Sequence, residues 1–343
     1  MTETLKVAVI GLGYFSQFHL AAWAAQEGAR LVGVCDTDHA RTSEAARRWG
    51  AQGFTDAGGL IETTAPDIVD IIAPPPAHDA LVRRAMAPGR TIICQKPFCT
   101  STDEARALTD AAEAAGTTLI IHENFRFQPW YRAIQDFLES GEMGQVYQAR
   151  FALRPGDGRG PSAYLDRQPA FQTMPRLLVH ETAVHFLDLF RWLFGPVTSL
   201  YADLRQLNPV IAGEDAGVLL LHHLTGVRTM FDGNRLSDHV AANMRFTMGE
   251  FEIEGEGGVL RLDGDGSMGF RAFGSDHWTA RAIDYPVDPD AFGGGCVAGV
   301  IAHVVEGLQG AGIFENSARD YLTVMELRDL AYASNEARRE LTV

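Results

Sequence analysis

The stretch Val7-Ala-Val-Ile-Gly11-Leu-Gly13-Tyr-Phe-Ser16 decides the fold of this chain. An apolar, β-branched run leads directly into two glycines, and the residues that follow have helical character. In such a strand-turn-helix unit, Gly11 permits the tight turn and Gly13 lets the backbone approach a pyrophosphate. Ser16 stands in place of a third glycine and is small enough to keep helix and strand close. The stretch predicts a βα unit that binds a dinucleotide at the amino end of its helix.

A carboxylate at the end of the second apolar run indicates which dinucleotide is bound. The run ends Val32-Gly-Val-Cys-Asp36, which places the acid 23 residues beyond Gly13. A carboxylate there accepts hydrogen bonds from the ribose hydroxyls and repels a 2′-phosphate, so Asp36 favours NAD over NADP. Two alternatives stay open: Asp36 only caps the next turn, or Arg41 nearby accommodates a phosphate.

The βα pattern repeats through residue 122. Its apolar runs are Leu5–Ile10, Leu31–Cys35, Asp67–Ile72, Thr91–Cys94 and Thr117–His122. Helical stretches separate them, which is typical of a doubly wound, parallel Rossmann sheet. Beyond residue 123, strands follow one another without intervening helices, which indicates a largely antiparallel open sheet. We therefore predict an α/β protein of two domains, with the NAD(P)-binding Rossmann domain at 1–122 and an α+β domain for substrate binding and oligomerisation at 123–343.

Composition and charge exclude several classes of partner. The 343 residues are 46% apolar, as in ordinary globular proteins, and exceed what one hydrophobic core usually supports. A net charge of −15 without a dense basic stripe argues against nucleic acid. The apolar runs are shorter than the about 20 residues of a membrane span, and the amino terminus does not resemble a signal peptide. We expect a cytoplasmic protein with a small-molecule substrate and no membrane partner.

Motifs further along the chain carry a family resemblance. They are Ala73-Pro-Pro-Pro-Ala-His78, Gln95-Lys96-Pro97, and His185 in a predicted helix over Leu177–Phe194. In this order and spacing the chain resembles, nearly end to end, the glucose-fructose oxidoreductase and inositol dehydrogenase-like (Gfo/Idh/MocA) family. The resemblance implies an NAD-dependent oxidoreductase that oxidises a secondary alcohol of a sugar, polyol or derivative, or performs the reverse reduction. The family's Glu-Lys-Pro reads Gln95-Lys96-Pro97 here, and we expect the Lys96–Pro97 bond to be cis.

The resemblance also implies roles for individual residues. Lys96 is expected to stabilise a developing alkoxide and His185 to accept the proton. Glu181 stands where the family has aspartate, four residues before His185, and is expected to orient it or to grip a neighbouring hydroxyl. The expected cofactor contacts are Gly11, Gly13, Tyr14, Phe15, Asp36, Pro74, His78, Gln95 and Lys96. The expected substrate contacts are Asn124, Arg126, Arg154 and His180.

Two arginines among those contacts suit an acidic sugar. A Gly-rich loop from Pro155 to Gln168, with Asp157, Arg159 and Tyr164, is expected to act as a lid. No metal is expected. His180 and His185 are five residues apart, and their directions differ by about 140° on an α-helix, unlike the histidines of a zinc protease.

The number of strands in the second domain bears on the assembly of the protein. Strands from about Val197 to Leu262 outnumber the helices that could cover them, and an uncovered apolar face predicts a homodimer or homotetramer.

One rival function is a lyase or glycosidase that uses NAD for a transient oxidation. Another is a non-catalytic dinucleotide-binding regulator, which would need none of Lys96, Glu181 and His185.

Overall fold

The chain folds into two units, as seen in a computed structural model that describes residues 4–310 and 314–343. The first unit runs to Asn124 and includes Val297–Thr323. The second comprises Phe125–Cys296 and Val324–Val343. The predicted boundary after residue 122 lies two residues from the observed one, but the sequence patterns did not indicate that 297–323 belong with the first unit.

The first unit contains a parallel sheet. Its strands are β1 (Leu5–Ile10), β2 (Ala29–Cys35), β3 (Gln52–Phe54), β4 (Ile68–Ile71), β5 (Thr91–Gln95) and β6 (Thr118–His122). The helices between them are α1 (Ser16–Ala25), α2 (His39–Trp49), α3 (Ala57–Thr64), α4 (His78–Ala85) and α5 (Thr102–Ala114). Within the described residues the strand order is β3-β2-β1-β4-β5-β6, which confirms the doubly wound Rossmann prediction. The order reverses between β1 and β4, and such sheets bind ligands at this switch point, beyond the carboxyl ends of the strands.

Burial explains why most of these strands were predictable. β4 and β5 are buried along their whole length, and β1 is buried over its last four residues, as parallel strands covered on both faces require. The edge strand β3 is half-exposed, reads Gln52-Gly-Phe, and has no β-branched residue. Its pattern therefore gave no strand signal.

The second unit is built around a larger sheet. Its first elements are α6 (Pro129–Glu139), β7 (Val146–Leu153), a π-helix (Leu178–Ala183) and α7 (Val184–Phe194). There follow β8 (Val197–Arg205), β9 (Ala216–His223), β10 (Arg228–Asn234), β11 (Gly249–Gly255), β12 (Gly258–Leu262), β13 (Met268–Ala272) and β14 (Thr279–Arg281). The closing elements are α8 (Cys296–Leu308), α9 (Ala318–Ala337) and β15 (Leu341–Thr342). Among the described strands the order is β14-β13-β12-β11-β7-β10-β9-β8-β15, with β7 and β10 parallel and the other neighbours antiparallel, which confirms the predicted sheet type.

The two faces of this sheet differ in character. On one face, side chains such as Phe151, Phe231 and Phe251 are almost fully buried. On the other face the side chains are half-buried or exposed, and a cross-strand row there joins Leu220, Met230, Arg150 and Glu252. The open face thus carries an apolar pair, Leu220 and Met230, flanked on β10 by Arg228 and Asp232, rather than being apolar throughout as expected.

Residues 297–323 carry α8 and the start of α9 into the first unit. Ser317 forms an isolated antiparallel bridge with Ile120 on β6. On α9, the Arg319 guanidinium pairs with Glu113 and Asp110 of α5. These contacts place a late segment of the chain at the outer edge of the Rossmann sheet. Over the residues that the structure describes, no helix is both long and apolar enough to cross a membrane.

Candidate functional site

The glycine turn after β1 leaves room for a ligand close to the backbone. Gly11 has a φ of +97°, and a Cβ built on it would lie 2.7 Å from the Ala73 backbone nitrogen, so glycine is required there. Gly13 is exposed, and a Cβ on it would meet nothing within 4 Å. The Ser16 hydroxyl donates to the Gly13 carbonyl at 2.7 Å, which closes the turn at the start of α1. The shape fits a pyrophosphate at this helix end.

Asp36 is fixed beside this turn by two backbone amides. Its Oδ2 accepts a hydrogen bond from the Leu12 amide at 2.8 Å, and its Oδ1 accepts one from the Asp38 amide at 2.9 Å. The carboxylate remains partly exposed. Arg41 lies 3.5 Å from Asp38, with which it forms an exposed ion pair. The residues present therefore fit a ribose diol at Asp36.

The other predicted cofactor residues occupy different environments. Tyr14 is 42% exposed and, with Gly13 and Arg41, lines an open cleft of about 520 Å³ between α1 and α2. Phe15 is half-buried, with its ring centroid 5.6 Å from that of His19. Pro74 is exposed, just before a 3-10 turn over Pro75–Ala77.

His78 lies behind the ligand edge rather than on it. The ring is fully buried, with Nδ1 2.7 Å from the Phe98 carbonyl oxygen and Nε2 2.7 Å from that of Ala73. Burial lowers the pKa of His78, against the opposing effect of the carbonyl oxygens of Phe98 and Ala73. The ring thus ties the loop after β4 to the loop after β5, and its expected cofactor role is indirect.

Lys96 follows directly after β5, and its bond to Pro97 is cis, as predicted. The lysine amide donates to the Gln95 side-chain Oε1 at 2.8 Å. Gln95 Nε2 lies 3.1 Å from His19 Nε2, and His19 Nδ1 lies 2.8 Å from Asp70 Oδ2. His19 and Asp70 are fully buried.

Sequence reasoning missed His19 and Asp70, although one signal was available. β4 reads Ile68-Val-Asp70-Ile71, and a charged residue in the middle of a fully buried strand requires a partner. The partner, His19, is 51 residues away, beyond the reach of any local pattern. Glu123, another buried carboxyl that was not singled out, accepts a hydrogen bond from the Tyr321 hydroxyl at 3.4 Å.

In the second unit, His185 lies on α7 and is 5% exposed. Its ring stacks flat on Phe125, with the centroids 3.9 Å apart and the planes 3° from parallel. The stack fixes the plane of the imidazole. A fixed ring suits a general base, which needs its nitrogen held in one direction.

The predicted single helix over Leu177–Phe194 is wrong in its first part, which is a π-helix over Leu178–Ala183. Glu214 starts it by accepting the Leu178 amide on its backbone oxygen at 3.0 Å and the Val179 amide on Oε1 at 3.1 Å. The Tyr332 hydroxyl accepts the His180 amide at 3.2 Å. Because a π-helix stacks residues five apart, the α-helical directions assigned to His180, Glu181 and His185 no longer apply.

Glu181 belongs to a buried charged cluster. Its Oε2 accepts the Thr182 hydroxyl at 2.8 Å and lies 4.0 Å from Arg235 Nη1. Arg235 is 1% exposed and also donates to Thr182 Oγ1 at 2.6 Å and to Asp157 Oδ2 at 3.0 Å. Burial opposes the charge on Arg235, but Asp157, Tyr164 and Glu181 together raise its pKa. The Glu181 carboxylate is therefore matched by a buried cation.

The same arginine anchors the loop that was expected to act as a lid. Arg235 Nε donates to the Tyr164 hydroxyl at 2.7 Å. Its Nη2 donates to Asp157 Oδ2, as described above. Arg159, also in this loop, is exposed. The loop is thus pinned at Asp157 and Tyr164, which limits any lid movement to the residues between them.

Both arginines expected to contact substrate form ion pairs with carboxylates of the second unit, and Arg154 shares its carboxylate with Arg150. Arg126 forms a buried, two-pronged pair with Asp188. Arg154 Nη2 lies 2.8 Å from Asp232 Oδ2. Desolvation opposes ionisation of Asp232, but hydrogen bonds from Arg150 and Arg154 outweigh it and lower its pKa.

The remaining two expected substrate contacts differ in exposure. Asn124 is 3% exposed, at the end of the first unit. His180 is half-buried, with Nδ1 3.4 Å from Arg328 Nη1. No group of three or more histidine, cysteine or acidic side chains within 4–310 and 314–343 is arranged to hold a metal.

Comparison with known proteins extends these observations. Residues 5–123 match the profile of an oxidoreductase family with an NAD-binding Rossmann fold, and residues 131–261 match the Gfo/Idh/MocA C-terminal domain. A D-apiose dehydrogenase from Paraburkholderia graminis is 34% identical over 99% of this chain and 90% of its own length. An inositol 2-dehydrogenase from Burkholderia vietnamiensis is 25% identical over 87% of this chain and 88% of its own.

Among solved structures, an oxidoreductase from Agrobacterium radiobacter in complex with NAD+, L-tartaric acid and magnesium is similar throughout. It is 28% identical, with a TM-score of 0.90, and the match covers 99% of this chain and 98% of that one.

Proposed function

Because this chain belongs to the Gfo/Idh/MocA family of NAD-binding oxidoreductases, we propose that it oxidises a secondary alcohol of a neutral sugar or polyol. The observation that carries the proposal is the grouping at one sheet edge. The glycine turn follows β1, Asp36 follows β2 and Lys96 follows β5, all at carboxyl ends of parallel strands. This is the edge where open α/β sheets hold a dinucleotide and its reacting partner.

The proposed mechanism divides the work between two side chains. His185, held flat by Phe125, takes the hydroxyl proton of the substrate. Lys96 donates to the same oxygen and stabilises its developing negative charge. Gly11, Gly13 and Asp36 would hold NAD, which would supply the acceptor for the hydride that leaves the carbinol carbon as the hydroxyl loses its proton. Glu181, 4.0 Å from Arg235 Nη1, binds a neighbouring hydroxyl of the substrate.

Lysine usage supports the role of Lys96. The chain has 29 basic residues, and only two of them, Lys6 and Lys96, are lysines. Everywhere else a positive charge is supplied by arginine. Position 96 thus has a lysine, whose compact ammonium group can donate to a single oxygen. The planar guanidinium of an arginine would not replace it in this role.

A neutral substrate fits the charges better than an acidic one. Arg126 is already paired with Asp188, and Arg154 shares Asp232 with Arg150, so a substrate carboxylate would have to compete with these two acids. The relative with 34% identity is named for D-apiose, a neutral sugar. The structure with L-tartaric acid keeps a hydroxy acid as the second candidate.

We also propose that the protein is cytoplasmic, forms a homodimer or homotetramer, and has neither nucleic acid nor membrane as a partner. The acidic net charge and the second-unit sheet, with half-exposed Leu220 and Met230 on its open face, support this. NAD rather than NADP follows from the fixed Asp36 carboxylate.

The test is NADH production from a panel containing D-apiose, inositol and L-tartaric acid, measured by absorbance. We expect the highest kcat/KM with one of the two neutral compounds, D-apiose or inositol. Lys96→Ala should lower turnover about 10²-fold or more with little change in NADH affinity. Lys6→Ala, on β1, is the matched control and should behave as wild type.

Each other outcome points to a specific rival. Consumption of a substrate without net NADH would indicate the lyase or glycosidase with transient oxidation. NADH binding without turnover of any compound would favour the regulator. Highest activity on L-tartaric acid would contradict the neutral substrate and support the hydroxy acid.

A further inference from the structure

A chain of buried hydrogen bonds leads from the middle of β4 to the backbone of Lys96. Asp70 Oδ2 lies 2.8 Å from both Trp23 Nε1 and His19 Nδ1. His19 Nε2 lies 3.1 Å from Gln95 Nε2, and Gln95 Oε1 accepts the Lys96 amide at 2.8 Å. Each of the side chains from Asp70 to Gln95 is at most 8% exposed.

The direction of every bond in this chain can be assigned. The Lys96 amide is a donor, so the Gln95 atom facing it must be the oxygen and the atom facing His19 must be the NH₂ group. That group donates, so His19 Nε2 is an acceptor without a proton. The ring proton is therefore on Nδ1, where it donates to Asp70. His19 is neutral in this arrangement.

We propose that Gln95 is a positioning residue for Lys96, and that its amide is matched to a neutral His19. The role rests on the proposed function only through Lys96. A carboxylate at position 95 would accept the Lys96 amide equally well, but it would face the lone pair of His19 Nε2. The two acceptors repel each other unless a proton is added between them. The amide lets the chain hold Lys96 without any group that titrates at position 95.

The surroundings of His19 determine where such an extra proton would be stabilised. Asp70 faces the ring from β4, Gln95 from β5, and His122 from β6, with its ring centroid 4.1 Å from that of His19. Phe15, just before α1, and Trp23 on α1 contribute no charge. With a carboxylate in place of Gln95, the extra proton would lie between two acids, and the folded protein would bind it more tightly than the unfolded chain.

The test compares Gln95→Glu and Gln95→Met with wild type between about pH 6 and pH 9, a range that begins near the ordinary pKa of histidine and extends above it. Gln52→Glu, the same change at an exposed site on β3, is the matched control. For Gln95→Glu, we expect the ratio of its kcat to that of wild type to fall by up to about tenfold per pH unit once the extra proton is lost. KM for NAD should change little. Gln95→Met, which adds no charge, should lower kcat by a factor that does not vary with pH.

A second measurement needs no substrate. The folded Gln95→Glu protein would bind one more proton than its unfolded chain above about pH 6.5, so its melting temperature should fall relative to wild type as pH rises. A melting difference that does not depend on pH would overturn the assignment of a neutral His19. Normal kcat in both Gln95 variants would overturn the positioning role. Failure of every substrate would refute the proposed function and leave the melting test intact.

Discussion

Asp36 shows how much a single residue can be constrained by its backbone surroundings. Two amides, from Leu12 and Asp38, hold its two oxygens, so the carboxylate is aimed before any ligand arrives. A group held in its bound geometry loses little conformational entropy on binding. The remaining lone pairs of the carboxylate are therefore available to a ribose diol.

The wild-type protein should bind NADH more tightly than NADPH. The Asp36→Ala variant should show a smaller difference between its affinities for the two cofactors. Loss of a hydrogen bond to a charged group costs about 1.5–3 kcal/mol, so the variant should bind NADH roughly tenfold or more weakly. Its affinity for NADPH should not fall in the same way, because the carboxylate that repels the 2′-phosphate is gone. Fluorescence titration with both cofactors measures this. Asp38→Ala removes a neighbouring carboxylate that caps α2 and should leave the preference unchanged. Equal or tighter binding of NADPH by wild type would refute this role of Asp36.

Contacts between residues that are close in the sequence could be predicted, and contacts between distant residues could not. Gly11, Gly13 and Asp36 lie at the ends of two neighbouring strands, so their spacing was sufficient to predict that they lie close together. His19 and Asp70 are 51 residues apart and Arg235 is 78 residues from Asp157, so only the folded chain brings them together. Arg126 was expected to contact substrate, whereas its buried partner Asp188 was not singled out.

At the scale of elements, the π-helix depends on groups outside it. Glu214 and Tyr332 take up three of its first amides, which stabilises a start that the local sequence does not encode. The pattern of apolar residues over 177–194 is compatible with a single α-helix, and this explains the incorrect prediction. The end of that helix at Gly195 was predicted correctly, because a glycine with positive φ suits that position.

Arg235 connects the π-helix to the loop at 155–168, and its removal should loosen both. Arg235→Met removes the cation beside Glu181 and one of the two beside Asp157, which also pairs with Arg167, and breaking a largely buried pair costs up to about 3–5 kcal/mol. We expect a lower melting temperature and faster trypsin cleavage after the exposed Arg159. Arg228→Met, at the other end of β10 and exposed, should change stability by less than about 0.5 kcal/mol.

Unchanged melting and cleavage in Arg235→Met would mean that the loop is held by its own contacts. The cluster around Tyr164, Phe171, Leu177 and Ile211 is the alternative anchor. Arg235→Lys separates the two cases, because it keeps the charge but loses the separate bonds to Tyr164, Thr182 and Asp157.

At the scale of the whole molecule, the open face of the second-unit sheet sets the expected assembly. Leu220 and Met230 are cross-strand neighbours, with the 36%-exposed Tyr201 beside Leu220. Arg150 and Glu252 continue the same row. Since a twofold interface brings identical patches together, this mixture of apolar and paired charged residues can complement itself.

Light scattering at micromolar concentration should therefore show a dimer or tetramer. Leu220→Arg should shift the protein towards monomer, because it places a charge in the apolar part of the face. Leu224→Arg, in the exposed turn after β9, is the control and should leave the assembly intact. A monomeric wild type would remove the argument for this interface.

The division into two units was the hardest feature to predict at this scale. The change from alternating helices and strands to consecutive strands marked residue 123 clearly. The return of 297–323 could not be deduced, because α8 and α9 have ordinary helical patterns that fit either unit. Their destination is set by contacts such as Arg319 with Glu113, far away in the sequence.

That return has a consequence for synthesis. The first unit is completed only when residues 297–323 leave the ribosome, after strands β7 to β14 of the second-unit sheet have been made. At about 5–20 residues per second, the wait lasts on the order of ten seconds or more. During that time the edge strand β6 lacks its bridge to Ser317 and can pair with other chains. The nascent protein therefore carries an open sheet edge through most of its translation, which is the interval in which a chaperone has the most to protect.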